Sequence, residues 1–369
     1  SLAMIEKNKF SVVLFFCFTV LISCNKKQNA LFEKMSASQT GVAFENKLVD
    51  EAHFNILYYL YFYNGGGVAT GDVNNDGLVD IYFTANSKGK NKLYLNKGNF
   101  SFEDITDKAG VAGTADWCSG VTMADVNADG LLDIYVSAVA QFGHLKGHNL
   151  LYINQGNNTF TEEAAAYGLN FSGLSTQAAF FDYDHDGDLD CYLLNHSKQP
   201  HSNIVDTLNR RKVDAISGDR LYRNEASEGK KKFTDVSATA GIYQSNLGYG
   251  LGISVADFNN DGWEDVYVGN DFHENDYYYS NNRNGTFTEA GATHFNHYSR
   301  FSMGNDAADY NNDGQIDIVT VDMLPPDEKT LKTYGSDENP EIYKMKLERN
   351  GYQHQFSRNC LQMNNGNGI

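Results

Sequence analysis

The sequence predicts an all-β fold, a β-propeller of four-stranded blades. Three observations carry this reading: a nine-residue loop that recurs five times, a strand-like stretch after each copy, and a run of small residues before it. The copies are DVNNDGLVD from Asp72, DVNADGLLD from Asp125, DYDHDGDLD from Asp182, DFNNDGWED from Asp257 and DYNNDGQID from Asp309. The stretches DIYFTA, DIYVSA, DCYLLN, DVYVGN and DIVTVD that run on from them are rich in β-branched and aromatic residues, which reads as strand. A unit that repeats at this spacing is one supersecondary module stacked on its neighbours, with room for four short strands.

Within each unit the order is regular. An inner strand of small residues (GGGVATGD, CSGVTMAD, TQAAFFD, GLGISVAD, GNDAAD) leads into the loop and the second strand. Small residues belong innermost, where blades converge on an axis. A third strand follows (KLYLN, LLYIN, RLYRN, YYYSN, CLQMN), then an Asn/Gly turn and a fourth strand that begins at Phe102, Phe160, Phe233 and Phe287. The last unit reaches only that turn, at Asn364–Ile369. We expect residues 41–369 to form the propeller, cut within its fifth blade, with five blades visible and seven in the full-length protein. Val42–Tyr63 precedes the first loop and is expected to supply an outer strand that closes the ring.

Oxygen-bearing side chains stand at positions 1, 3, 5 and 9 of every loop: Asp72, Asn74, Asp76 and Asp80; Asp125, Asn127, Asp129 and Asp133; Asp182, Asp184, Asp186 and Asp190; Asp257, Asn259, Asp261 and Asp265; Asp309, Asn311, Asp313 and Asp317. A hard cation takes six to eight oxygens at about 2.3–2.6 Å, so the expected cofactor is calcium, about five ions, one per loop. Glycine at position 6 permits positive φ. Position 7 is Leu78, Leu131, Asp188, Trp263 and Gln315, which suits a backbone carbonyl ligand. An EF-hand would close with glutamate at position 12 between two helices; here the loop closes at position 9 and runs into a strand.

This pattern resembles the FG-GAP and VCBS-type repeats of integrin α-chain propellers. The opening TGVAFEN, the run YNGGGVATGDVNNDG, and FEDIT/KAGV from Phe102 to Val111, echoed by FTDVSATAGI from Phe233, are similar to cartilage-acidic-protein-like proteins. In that group the propeller is followed by an ASPIC/UnbV domain, and bacterial members are lipoproteins. The resemblance implies a calcium-stabilised scaffold rather than a defined activity.

The N-terminus points to export. Lys7 and Lys9 precede an apolar run from Phe10 to Ile22, and Leu21-Ile22-Ser23-Cys24 reads as a lipobox. The run is shorter than the roughly 20 residues a membrane-spanning helix needs. Residues 1–24 are thus expected to be a lipoprotein signal peptide, Cys24 the lipidation site, residues 25–40 a tether, and the location the bacterial cell envelope, lipid-anchored at the outer membrane. Beyond the leader only Cys118, Cys191 and Cys360 remain, which make no disulfide framework. The formal net charge is −18, and five divalent cations would offset more than half of it. An acidic surface argues against nucleic acid as a partner.

Length varies mainly in one connection per unit, from position 9 of the loop to the asparagine ending the third strand: 80 to 96, 133 to 154, 190 to 224, 265 to 281 and 317 to 364. These connections lie opposite the metal loops, where a rigid scaffold carries its binding residues. They hold His144, His148, His196, His201, His273, Asp271 and Asp322, of which His144, His196, His273 and Asp322 are the candidate ligand-binding set, with Asn86 beside them. Arg210-Arg211-Lys212 reads as a solvated helical turn, and Tyr277-Tyr278-Tyr279 as core alternating with surface. No GxSxG elbow, HExxH helix, P-loop or GxGxxG is present. The expected function is a non-catalytic calcium-binding propeller that binds an envelope glycan or protein; the alternative is a polysaccharide lyase on the same scaffold.

Overall fold

The structure, a computed structural model, describes residues 31–198, 205–333 and 339–366. Two compact units divide at Thr40. In the first, a four-residue helix, Ala37–Thr40, is the one regular element among the described residues, and it buries nothing. The signal peptide, Cys24 and His201 lie outside the described residues.

The second unit holds the sheets. The first runs β1 (Val68–Gly71), β2 (Asp80–Phe83), β3 (Lys92–Asn96), β4 (Phe102–Asp104). The second runs β5 (Cys118–Ala124), β6 (Asp133–Ala138), β7 (Leu150–Asn154), β8 (Phe160–Glu162), and the third β9 (Ser175–Phe181), β10 (Asp190–Asn195), β11 (Arg220–Asn224), β12 (Phe233–Asp235). The fourth runs β13 (Gly250–Ala256), β14 (Asp265–Asn270), β15 (Tyr277–Asn281), β16 (Phe287–Glu289). In each, strands pair in chain order and antiparallel. After a two-residue strand β17 (Tyr298–Ser299), the fifth sheet has three strands, β18 (Gly304–Ala308), β19 (Asp317–Val321) and β21 (Cys360–Gln362), and β20 (Gln355–Phe356) pairs parallel with β17.

The first strands of successive sheets lie side by side, joined by short polar side chains. Ser119 Oγ donates to Ser175 O at 2.7 Å, Thr122 Oγ1 to Ala178 O at 2.6 Å, Thr176 Oγ1 to Gly250 O at 2.8 Å and Ser254 Oγ to Asn305 Oδ1 at 2.6 Å. The small residues are required: a Cβ on Gly120 would sit 2.3 Å from Thr176 O. The core lies between sheets. Tyr82 and Leu93 of the first pack with Val121, Ile134 and Val136 of the second, and Tyr135 and Leu151 of the second with Cys191 and Leu193 of the third. Tyr277, Tyr278 and Tyr279 are all buried, because both faces of the fourth sheet are covered, so the run is not half surface. On the fifth sheet Val319, Val321 and Leu361 are exposed.

Each fourth strand leads into a four-residue helix (Thr106–Ala109, Ala164–Tyr167, Ser237–Ala240, Gly291–His294). The first three end on a left-handed glycine, Gly110, Gly168 or Gly241. That glycine touches the next sheet, since a Cβ would lie 2.9 Å from Phe233 O at Gly168 and 2.7 Å from Phe287 O at Gly241. Gly41, at φ 81°, repeats this against Phe102 O at 2.3 Å. Ala43 N then donates to Tyr94 OH, as Tyr243 N does to Tyr279 OH.

Among the described residues Val42–Tyr63 joins no sheet. Beyond the single bridge between Glu51 and Phe54 it pairs with no strand. Val42–Val49 alternates half-buried and exposed residues, and Glu51–Tyr63 runs as turns in which Phe54, Tyr59, Tyr61 and Phe62 bury their rings against Trp117, Val139, Leu145, Leu174 and Tyr249. Arg210 is not a solvated residue. On the 3-10 turn Thr207–Arg211, its Nε lies 2.8 Å from Oε1 of Glu274, which is 1% exposed, and its guanidinium sits over the rings of Tyr243, Tyr277 and Tyr352.

Candidate functional site

The five loops share one geometry. In each, the position-1 carboxylate accepts the backbone N–H groups of positions 5 and 6; Asp72 takes those of Asp76 and Gly77 at 3.1 and 2.7 Å, and Asp257 those of Asp261 and Gly262 at 2.9 and 2.7 Å. The turn uses left-handed backbone twice. Glycine at position 6 was legible in sequence; position 4 (Asn75, Ala128, His185, Asn260, Asn312, φ 56–59°) was not, because its residue types differ.

The position-9 aspartate ties the loop to the sheet. Asp80 accepts from Val73 N at 2.9 Å and Asn96 N at 2.8 Å, and Asp133, Asp190 and Asp317 repeat both bonds. Asp265 accepts from Asn281 N and Tyr278 OH. Burial, with the other loop carboxylates nearby, pushes Asp133 up to about 7, Asp190 to about 8 and Asp265 to about 6. A cation would relieve that repulsion.

These residues fit calcium. A carboxylate has about four lone-pair positions, so accepting two N–H groups leaves others for a metal. Two position-3 oxygens are buried without a hydrogen bond, Asp184 Oδ1 and Asn259 Oδ1. Oxygens of Asp182, Asp184 and Asp190 lie within 4.8 Å of one another. Asn74, Asn127 and Asn311 instead bond to the position-5 aspartates Asp76, Asp129 and Asp313.

The asparagine ending each third strand was read only as a strand end; it is the hub that ties the loops together. Asn154 Nδ2 donates to Val73 O of the preceding sheet's loop at 2.7 Å and to Leu132 O of its own at 3.0 Å. Asn224, Asn281 and Asn364 repeat this on Val126 O, Tyr183 O and Phe258 O. Its recurrence at one register was the available signal.

On the opposite face the inner strands enclose a cavity of about 230 Å3, lined by Tyr59, Tyr61, Trp117, Gln177, His196 and Met303 among others. His196 forms part of its wall without exposed surface. Nε2 lies 3.1 Å from Tyr59 OH, Nδ1 is 2.8 Å from Ser197 O, and the ring stacks on Tyr249. Burial pushes its pKa down to about 4, so the ring is neutral. Tyr61 OH donates to Asp271, whose carboxyl burial lifts to about 6. Asp322 accepts from Ser299 Oγ at 2.7 Å and Phe301 N at 3.1 Å. His144 packs edge-on against Phe54 at 4.9 Å. His273 is half-buried on the Asp271–Asp276 connection. Asn86 bonds Asn46 and Cys118 O. The aromatic residues of Phe54–Phe62, not direct contact, link His144, His196 and Asp271; sequence reading passed over Tyr59, Tyr61 and Trp117.

The FG-GAP-like repeat family model matches residues 58–136, 139–193 and 257–320, together more than half of the chain. Cartilage acidic protein 1 of Xenopus tropicalis is 30% identical over 209 residues, covering 55% of this chain and 28% of that protein. The human protein is 27% identical over 207 residues, with the same shares. The chain thus spans less than a third of these curated relatives. Among solved structures, an Agrocybe aegerita lectin described as recognising non-reducing terminal N-acetylglucosamine covers 82% of this chain and 64% of its own at 15% identity and TM-score 0.42. The V. cholerae biofilm matrix protein Bap1 covers 69% and 34% at 16% identity and TM-score 0.31. Likenesses that remote do not bear on a ligand. With five loops in one register and sheets built on one plan, the chain belongs to the family of FG-GAP-like repeat proteins.

Proposed function

We propose that this protein is a non-catalytic, calcium-stabilised propeller of the bacterial cell envelope, anchored by lipid at Cys24, that binds a glycan or protein ligand on the face of its variable connections. Position-3 oxygens buried without partners, beside carboxylates that crowd one another, carry the calcium part. Asp182, Asp184, Asp186 and Asp190, and their counterparts in the other loops, would hold the ions, which supply charge neutralisation and cross-bracing. The aromatic cavity supports a ligand at the axis. Burial lowers His196 to about 4, which makes its imidazole a weak base, and raises the Tyr59 hydroxyl above its usual range, which works against a proton-abstracting pair and favours binding over a lyase. No described helix is long and apolar enough to cross a membrane.

The test is a metal count by mass analysis together with a glycan-array screen in calcium. Bound calcium and retention of a glycan that falls with Gln177→Ala, at the half-buried cavity wall, support the proposal. Protein without bound metal, or new ultraviolet absorbance from unsaturated uronic products, overturns it.

A further inference from the structure

Between the third and fourth sheets lies a second cavity of about 420 Å3, distinct from the axial one, lined by Asp184, Arg223, Thr239, Trp263, Arg283 and Asn284 among others. The chain's own repeats show how far this seam departs from the rest. Arg223 stands in the third strand where the first two sheets have Leu95 and Ile153. Trp263 stands at loop position 7 where those sheets have Leu78 and Leu131. Arg283 stands in the turn after the third strand, at φ 60°, where other turns have Gly98, Gly156 and Gly366 at φ 81°, 76° and 80°. A side chain costs free energy in that left-handed conformation and glycine does not. A backbone outlier of this kind persists where something else holds it, often a binding function.

We infer that this seam is a binding site for a neutral saccharide, one pyranose unit seated against Trp263. The ligand class follows from the charge balance. Arg283 lies 2.7 Å through Nη2 from Asp261 Oδ2, and Arg223 is 3.8 Å from both Glu225 and Glu228, so the guanidinium charges are already countered. Their N–H groups remain as donors. Thr239 Oγ1 donates to Val236 O at 2.9 Å and keeps its lone pairs as acceptors. Hydroxyl groups, which donate and accept at once, match such an alternation, whereas an anion would find the guanidinium charges already taken. The Trp263 indole is braced by the His185 ring, stacked at 3.8 Å and 8°, and gives the C–H face of a sugar ring an apolar wall. The cavity volume falls in the range of small-molecule sites.

The chain has two tryptophans, Trp117 at the axial cavity and Trp263 here, so fluorescence can read the seam alone. In Trp117→Phe protein kept in excess calcium, millimolar glucose, galactose, mannose or N-acetylglucosamine is titrated against Trp263 emission. At least one should give a saturable change. Arg223→Leu and Arg283→Gly, which install residues other repeats already carry, should weaken it by about tenfold or more. Neither should lower the melting temperature or bound calcium, and Arg283→Gly should raise the former. In Trp263→Leu protein with Trp117 retained, no seam response should remain. The inference fails if none of the four sugars alters Trp263 emission, if both arginine variants respond as the parent does, or if glucuronate alone binds. None of these failures touches the calcium proposal, which rests on the metal count.

Discussion

Asp219 shows how one side-chain choice sets a pH response. In the first two sheets Asn91 and Asn149 bridge the second strand's tyrosine and backbone, donating to Tyr82 and Tyr135 and accepting from Ala85 N and Ala138 N. The third and fourth sheets use Asp219 and Asp276 there, accepting from Tyr192 and Tyr267. Both are fully buried, and burial pushes each to about 7 from 3.8. A raised folded pKa means the folded state holds a proton the unfolded chain has lost. The stabilisation is complete below about 4 and disappears as pH rises through 7. Asp219→Asn should therefore be more stable than the parent at pH 8, by on the order of 1–3 kcal/mol, and gain nothing at pH 4, in melts with excess calcium. Equal pH profiles would refute this. The bridge was invisible in sequence, because Asn91 and Asp219 look like ordinary connection residues until the strand beside them is known.

The loops, strands and glycine turns were legible because each repeats, and repetition separates a structural requirement from chance. What did not repeat was misread. Arg210 looked like a surface cation because its partner, Glu274, lies in another sheet's connection. Two substitutions separate a loop's proposed metal function from its structural one. Asp76→Asn keeps an acceptor for Leu78 N, which Asp76 Oδ1 now binds at 2.9 Å, and should reduce bound calcium by one ion with little change in fold. Asp80→Ala would also orphan Val73 N and Asn96 N and should cost about 1–3 kcal/mol for each buried donor left unpaired. Asn224→Ala should speed hydrogen exchange in two loops at once, its own and that of the second sheet, since Asn224 Nδ2 bonds Val126 O. Faster exchange confined to the third sheet would show that the hub does not couple them.

At the scale of the whole molecule, chelation should lower the melting temperature in one cooperative step. Extracellular calcium sites bind at about 0.1–1 mM, and a tenfold excess of ligand over Kd stabilises by about 1.4 kcal/mol per independent site. An unchanged melt in EDTA would exclude a structural role for the ion. The sheet order and the side-by-side inner strands followed from the sequence. The path of Val42–Tyr63 did not, because its aromatic run carries no strand alternation and its partners, Trp117, Leu145 and Tyr249, are scattered along the chain.

The Gly41 contact bears on how the protein is made. In the second, third and fourth sheets, the segment following one sheet's outer strand lies against the next sheet's last two strands. A chain that emerges N-terminus first, as an exported one does, presents those segments in that sequence. A newly completed sheet thus finds its neighbour's segment already in the exit vicinity, waiting to cover it. Gly41 to Phe44 gives the first sheet the same reception, with Phe44 stacked on Phe83 at 4.7 Å. The sheets can then form singly as the chain emerges, each one closing on residues that precede it.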